Sequence, residues 1–145
     1  IDMINSALCL KLDYECFSTV DLLCIDLMTG ICEFFKIGGS ESIVLHGPNV
    51  ETVFSVSLPV GMLPDIKVQG QAKRLDDGDI IIMMSDGISE AGFGTVRTDW
   101  LKKEIKMPFD TMDEMSQSVI ENAVKKSRDA VIDDMTVATI RLIRN

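Results

Sequence analysis

The sequence predicts a mixed α/β domain, and three observations carry that prediction. Stretches rich in β-branched and aromatic residues alternate with turn residues through the first half of the chain. The five residues Ile80–Met84 form an unbroken apolar run of the length of a buried strand. Finally, a window opening at Thr111 has a helical apolar period behind a capping-box pattern.

The elements follow in order. Met3, Ile4, Ala7, Leu8 and Leu12 give residues 2–12 a helical period. Phe17–Leu27 is β-rich, and Thr29-Gly30 turns it into Ile31–Ile37, so two adjacent antiparallel strands are expected. Gly38-Gly39 breaks the second strand, and a third runs over Ser42–Leu45 to Gly47-Pro48. A short strand is expected near Val53–Val56, ahead of a loop over 58–64. Ile66, Val68, Gly70 and Ala72 alternate with polar neighbours as a half-buried strand does. Asp76-Asp77-Gly78 reads as a hairpin turn into the central strand, Ile80–Met84, which stops at Ser85-Asp86-Gly87.

Residues 88–97 then read as a glycine-containing loop and 99–106 as a short helix. The next helix starts at Thr111, has Glu114 at the third helical position and ends near Ser127-Arg128-Asp129. Its buried face is assigned to Met112, Met115, Val119, Ile120, Ala123 and Val124. Asp133-Asp134 opens a last alternating strand from Met135 to Ile143. No internal repeat or linker interrupts the 145 residues, which read as one domain, 1–145.

Composition narrows the function. A formal net charge of −9 with scattered Lys and Arg argues against nucleic acid as a partner, because phosphate backbones call for clustered positive charge. No stretch has the roughly 20 apolar residues that cross a bilayer, so no membrane contact is expected of this segment. Cys9, Cys16, Cys24 and Cys32 form no C-x-x-C pair, and His46 is the single histidine, so zinc is disfavoured. Reduced, mostly buried thiols in a cytoplasmic protein fit that usage. His46, beside Gly47-Pro48, reads as a loop residue rather than a ligand or base.

The candidate chemistry lies in acids. If the central and last strands are antiparallel neighbours, the end of one at Asp86 lies beside the start of the other at Asp133. Adjacent strands are about 4.8 Å apart, so carboxylates there can share an ion. Two carboxylates are hard ligands that favour Mg²⁺ or Mn²⁺. Glu90, four residues past Asp86, could add an outer ligand or hold a coordinated water. Each acid also has a purely structural reading: Asp-Gly after a strand is often only a turn, and Asp-Asp before one an Asx turn or a helix stop.

The ordered segments Phe17-Ser18-Thr19-Val20-Asp21, Phe35-Lys36-Ile37-Gly38-Gly39, Leu58-Pro59-Val60-Gly61, Gly78-Asp79-Ile80 through Ser85-Asp86-Gly87, and Asp133-Asp134-Met135-Thr136 carry a resemblance. Together they resemble the metal-dependent serine/threonine phosphatases of the type 2C class, and within it the stage II sporulation protein E phosphatases. The resemblance implies an α+β fold, a β-sandwich of two mostly antiparallel sheets flanked by helices, with a two-metal Mn²⁺ or Mg²⁺ centre at one end. It places Asp86 and Asp133 as metal ligands, Glu90 and Asp134 as outer-shell or additional metal residues, and Gly87 in the metal-loop backbone. The nucleophile is then a metal-activated water, and no protein side chain attacks the phosphoserine. The implied partner is a phosphoserine-bearing regulatory protein of the anti-anti-sigma-factor type. Some relatives are controlled by dimerisation, so a homodimer is admitted.

One departure qualifies the resemblance. The family's earlier Asp-Gly-Met-Gly type of segment, which supplies further metal ligands, has no counterpart here. The chain therefore reads as the N-terminally incomplete, C-terminal portion of a phosphatase domain, with weak metal binding and little activity expected on its own; any membrane anchor would lie upstream. A haloacid-dehalogenase-type phosphatase would need an acid two residues after Asp86, where Ile88 stands, and a receiver domain would need its acid pair near the chain start. The remaining alternative is a non-catalytic binding or regulatory module that keeps the phosphatase fold.

Overall fold

A computed structural model describes residues 1–10, 16–91, 99–127 and 133–144. Helix α1 spans Asp2–Cys9, and the strands β1 Val20–Ile25, β2 Ile31–Ile37, β3 Ser42–His46, β4 Asn49–Val53, β5 Gly70–Arg74 and β6 Ile80–Met84 follow. Helices α2 Asp86–Ser89, α3 Asp99–Glu104 and α4 Met112–Lys126 precede the last strand, β7 Val137–Arg141. The strands form two antiparallel sheets, ordered β1-β2-β5 and β4-β3-β6-β7, so the predicted α+β class holds. The chain groups into two compact units, one of residues 1–40 and 53–75 and the other of 41–52 and 76–145.

In the first unit, β1 and β2 are the predicted antiparallel pair, in register from Val20↔Ile37 to Ile25↔Cys32. Gly30 takes φ 74° in their turn, a conformation that costs glycine little. Asp26 organises the same turn by accepting the backbone N–H groups of Met28 (2.9 Å) and Thr29 (3.3 Å). These bonds, with the Thr29 hydroxyl foremost, hold its carboxyl below the usual value of 3.8. Phe34 and Ile37 are fully buried from β2, while the Lys36 ammonium is buried too and pairs with Asp21. Val60, also fully buried, exchanges backbone bonds with Ser18 of 3.0 and 2.9 Å. Buried Asn5 ties α1 to the loop beyond, donating to the carbonyls of Leu63 and Pro64 and accepting from the Gly61 N–H.

The second unit is built on β6. Ile81 and Ile82, whose side chains point to opposite faces, are 1% and 0% exposed, so the strand is covered on both sides as the apolar run predicts. One face carries the main core, where Ile43, Leu45, Ile82 and Met84 meet Ile88, Leu101, Ile105, Met115, Val119 and Ala123. The capping box of α4 forms as expected: the Thr111 hydroxyl accepts from the Glu114 N–H (3.1 Å), and the Glu114 carboxylate accepts from the Thr111 N–H (3.3 Å). Thr139 fastens α4 to β7 through the Met112 carbonyl (3.0 Å) and the Ser116 hydroxyl (2.7 Å).

Several expectations are corrected. The fourth strand is Asn49–Val53 rather than 53–56, because Gly47, at φ 54°, and Pro48 turn the chain back instead of ending the sheet. The fifth strand covers only Gly70–Arg74, the stretch that finds β2 as a partner, and not Ile66–Ala72. Asp76-Asp77-Gly78 is a turn, with Gly78 at φ 85°, but not a hairpin, since β5 and β6 belong to different sheets. Val124 is 47% exposed and lies off the buried face of α4. Of the four thiols only Cys32 is buried, and Cys24 is exposed. Leu12, Arg128 and Asp129 lie outside the described residues, as does most of the expected loop over 88–97, whose first two residues belong to α2.

Candidate metal centre

The antiparallel pairing of β6 and β7 runs from Ile80↔Arg141 to Met84↔Val137. The chain leaving β6 therefore lies beside the chain entering β7, as the strand order predicts. Ser85 closes this junction. Its N–H donates to the Thr136 carbonyl (2.9 Å), its hydroxyl donates to the Asp134 carbonyl (2.9 Å) and accepts from the Thr136 N–H (2.9 Å). Three bonds from one residue hold Asp86 next to the Asp133-Asp134 segment.

Gly87 explains how close the approach is. A Cβ placed there would meet the Asp134 carbonyl oxygen at 2.6 Å and that of Asp133 at 3.1 Å, so a larger residue would force backbone atoms apart. The glycine of the Asp-Gly pair thus serves contact between strands ends and not merely turn flexibility. Asp86 begins α2, and its Oδ1 accepts from the Gly87 N–H (3.0 Å). Asp133 Oδ1 accepts from the Asp134 N–H in the same local way (2.8 Å). Both carboxylates are exposed, and the described hydrogen bonds occupy only Oδ1 of each.

Asp86, Gly87, Asp133 and Asp134 are accordingly brought to one junction. Glu90 caps the C-terminal end of α2, one helical turn from Asp86, and is exposed. No cluster of three His, Cys, Asp or Glu side chains suited to a metal ion occurs among the described residues. The donor set is nonetheless of the right kind: exposed, oxygen-only, and anionic, which suits Mg²⁺ or Mn²⁺ over softer ions. Ser85 is the residue that sequence reasoning passed over. Its signal was its place between an apolar strand and the Asp-Gly pair, where a hydroxyl can reach the neighbouring strand.

His46 ends β3 and is no loop residue. Its Nδ1 lies 2.7 Å from Oδ2 of buried Asp79, and its Nε2 is 3.9 Å from Glu51. Asp79 Oδ2 also accepts from the Asp76 N–H (2.7 Å), so this pair anchors the turn before β6, at the opposite end of that strand from Asp86.

Comparison with known proteins bears on the family and the fold. The model of the stage II sporulation protein E (SpoIIE) family matches residues 1–143. Stage II sporulation protein E of Bacillus subtilis (strain 168) is 34% identical over 147 residues, covering 100% of this chain and 18% of that protein. The chain therefore spans less than a fifth of that relative. The phosphatase domain of SpoIIE from Bacillus subtilis, presoaked with manganese, matches with a TM-score of 0.80 at 31% identity, over 100% of this chain and 66% of that one. The catalytic domain of the serine threonine protein phosphatase PstP, in complex with 2 manganese ions, matches with a TM-score of 0.74 over 97% of this chain and 67% of that one. At 16% identity the latter likeness speaks for the fold alone. With two antiparallel sheets and flanking helices that match type 2C phosphatase domains, the chain belongs to the stage II sporulation protein E family.

Proposed function

We propose that this chain is the C-terminal portion of the catalytic domain of a metal-dependent serine/threonine protein phosphatase, and that Asp86 and Asp133 contribute carboxylate oxygens to its divalent-metal centre. The observation that carries the reading is the Ser85–Gly87 junction, which sets both acids beside one another in a chain of this family. A divalent Mn²⁺ or Mg²⁺ held by these acids would supply activation of water for the hydrolysis and offset the charge of the phosphate. The chain's own residues have defined tasks. Asp86 and Asp133 ligate, Gly87 permits the close approach, and Ser85 fixes the spacing. Glu90 and Asp134 serve as outer-shell or additional metal residues.

The substrate we infer is phosphoserine on a regulatory protein of the anti-anti-sigma-factor type, hydrolysed in the cytoplasm during sporulation. Manganese in the neighbouring SpoIIE domain supports the choice of ion. Two carboxylates make an incomplete shell for a cation that takes about six oxygen ligands, so the chain by itself should bind metal weakly and turn over little substrate.

Asp86→Asn and Asp133→Asn, each placed in a protein carrying the whole catalytic domain, test the assignment. Each should lower Mn²⁺-dependent phosphate release from a phosphoserine protein by roughly 100-fold or more, since losing even a supporting residue of a metal site typically costs about 10–100-fold. Full activity in both variants would remove these acids from the centre. Activity absent from the wild-type domain as well would favour the non-catalytic binding module.

A further inference from the structure

The second unit contains a cavity of about 450 Å³ that the phosphatase reading does not use. Its floor follows from strand register. Leu45 pairs with Ile80 and Ile80 with Arg141, so one row crosses three adjacent strands and presents two aliphatic side chains and a guanidinium to the same face. Met115 of α4 forms one wall, and the connection from α3 to α4 forms the other with Phe109 and Lys106. The volume falls within the roughly 300–1,000 Å³ of small-molecule sites.

Charge selects the ligand. The chain carries a net charge of −9, yet the two charged residues lining this cavity, Lys106 and Arg141, are both cations. Neither forms an ion pair among the described residues. A half-open recess with a mixed lining, apolar on its floor and bearing two cations without an ion pair among the described residues, suits a molecule with an apolar body and one anionic head. We propose that this cavity binds a small amphipathic carboxylate of the medium-chain fatty-acid kind, with its chain against Leu45, Ile80, Met115 and Phe109 and its head between Lys106 and Arg141. The site lies at the Ile80–Arg141 end of the β6–β7 pair, whereas Asp86 and Asp133 lie beyond the Met84–Val137 end. Four strand steps of about 3.3 Å place roughly 13 Å between them. The ligand therefore occupies a place of its own, away from the metal junction.

Methyl NMR of the protein labelled at methionine, titrated with sodium decanoate, tests the proposal. Saturable shifts should appear at the Met107 and Met115 methyls, both of which line the cavity. 1-Decanol should bind about tenfold more weakly, and decyl phosphate shows whether the head must be a carboxylate or only an anion. Lys106→Gln, at an exposed position, should weaken decanoate about threefold, and Lys106→Gln with Arg141→Gln about tenfold, as expected for partly solvated charge pairs. The absence of saturable shifts overturns the proposal. So does equal affinity for decanol, or an affinity for decanoate unchanged by Lys106→Gln.

Discussion

Replacing Gly87 by alanine perturbs the metal junction without touching a carboxylate. The added methyl would stand 2.6 Å from the Asp134 carbonyl oxygen, 3.1 Å from that of Asp133 and 3.2 Å from the Asp134 carbonyl carbon. All three are backbone atoms, so no flexible side chain can swing aside. Overpacking of this kind costs about 1–3 kcal/mol. Alanine recovers up to about 1 kcal/mol of helix propensity at the start of α2. The net expectation is a loss of about 1–2 kcal/mol, equivalent to a fall of about 3–6 °C in Tm for a chain of this size. Urea unfolding gives the magnitude, and amide exchange gives the place. The Ser85 and Thr136 amides, which bond across the junction, should exchange faster, while those pairing Ile80 with Arg141 should not. A variant as stable as the parent, with unchanged Ser85 and Thr136 protection, would refute the close approach of Gly87 to Asp133 and Asp134.

Three further perturbations test the surrounding fold. Asp79→Ala removes the buried acceptor shared by the Asp76 N–H and the His46 ring, and should cost about 1 kcal/mol by urea titration, since water can reach both donors. Thr111→Ala removes the α4 cap and should cost about 1 kcal/mol in the same assay, with Thr111→Ser close to the parent. The β1–β2 turn should respond to acid, because the carboxyl of Asp26 is held below its ordinary 3.8. A lowered folded-state value means that this stabilisation is present above 3.8 and is lost as the pH falls through the folded value. Chemical shifts of the Met28 and Thr29 amides followed by NMR should thus titrate below pH 3.8, and Asp26→Asn should abolish that titration.

Much of the second unit was legible because its signals are local and strong. The run Ile80–Met84 could only be a covered strand, and the Thr111/Glu114 pair marked the start of α4 to the residue. The meeting of Asp86 and Asp133 needed one added assumption, the antiparallel neighbouring of β6 and β7, which the pairing bears out. What local signals could not supply was partner choice. Asp76-Asp77-Gly78 has hairpin chemistry, but the strands on either side pair with β2 and with β3 and β7, in different sheets. Ile66 and Val68 alternate as strand residues do, yet only Gly70–Arg74 lies opposite β2. His46 illustrates the same limit at a side chain. Its neighbours Gly47-Pro48 suggested a loop, whereas its partner, Asp79, lies 33 residues away. Ser85, Asp133 and Gly87 show the converse: once the strands are paired, the reason for each residue type is physical and local.

The central claim is that Asp86 and Asp133 share a divalent cation, and paramagnetic broadening by Mn²⁺ tests it most directly because it detects even weak binding. Titrating Mn²⁺ into the ¹⁵N-labelled protein should broaden the Gly87 and Asp134 amides first, next to the two carboxylates. Asp86→Asn with Asp133→Asn should remove that selectivity, while Mg²⁺ should compete it away in the parent. Broadening spread evenly over the exposed acids, or centred on His46 and Glu51, would contradict the account.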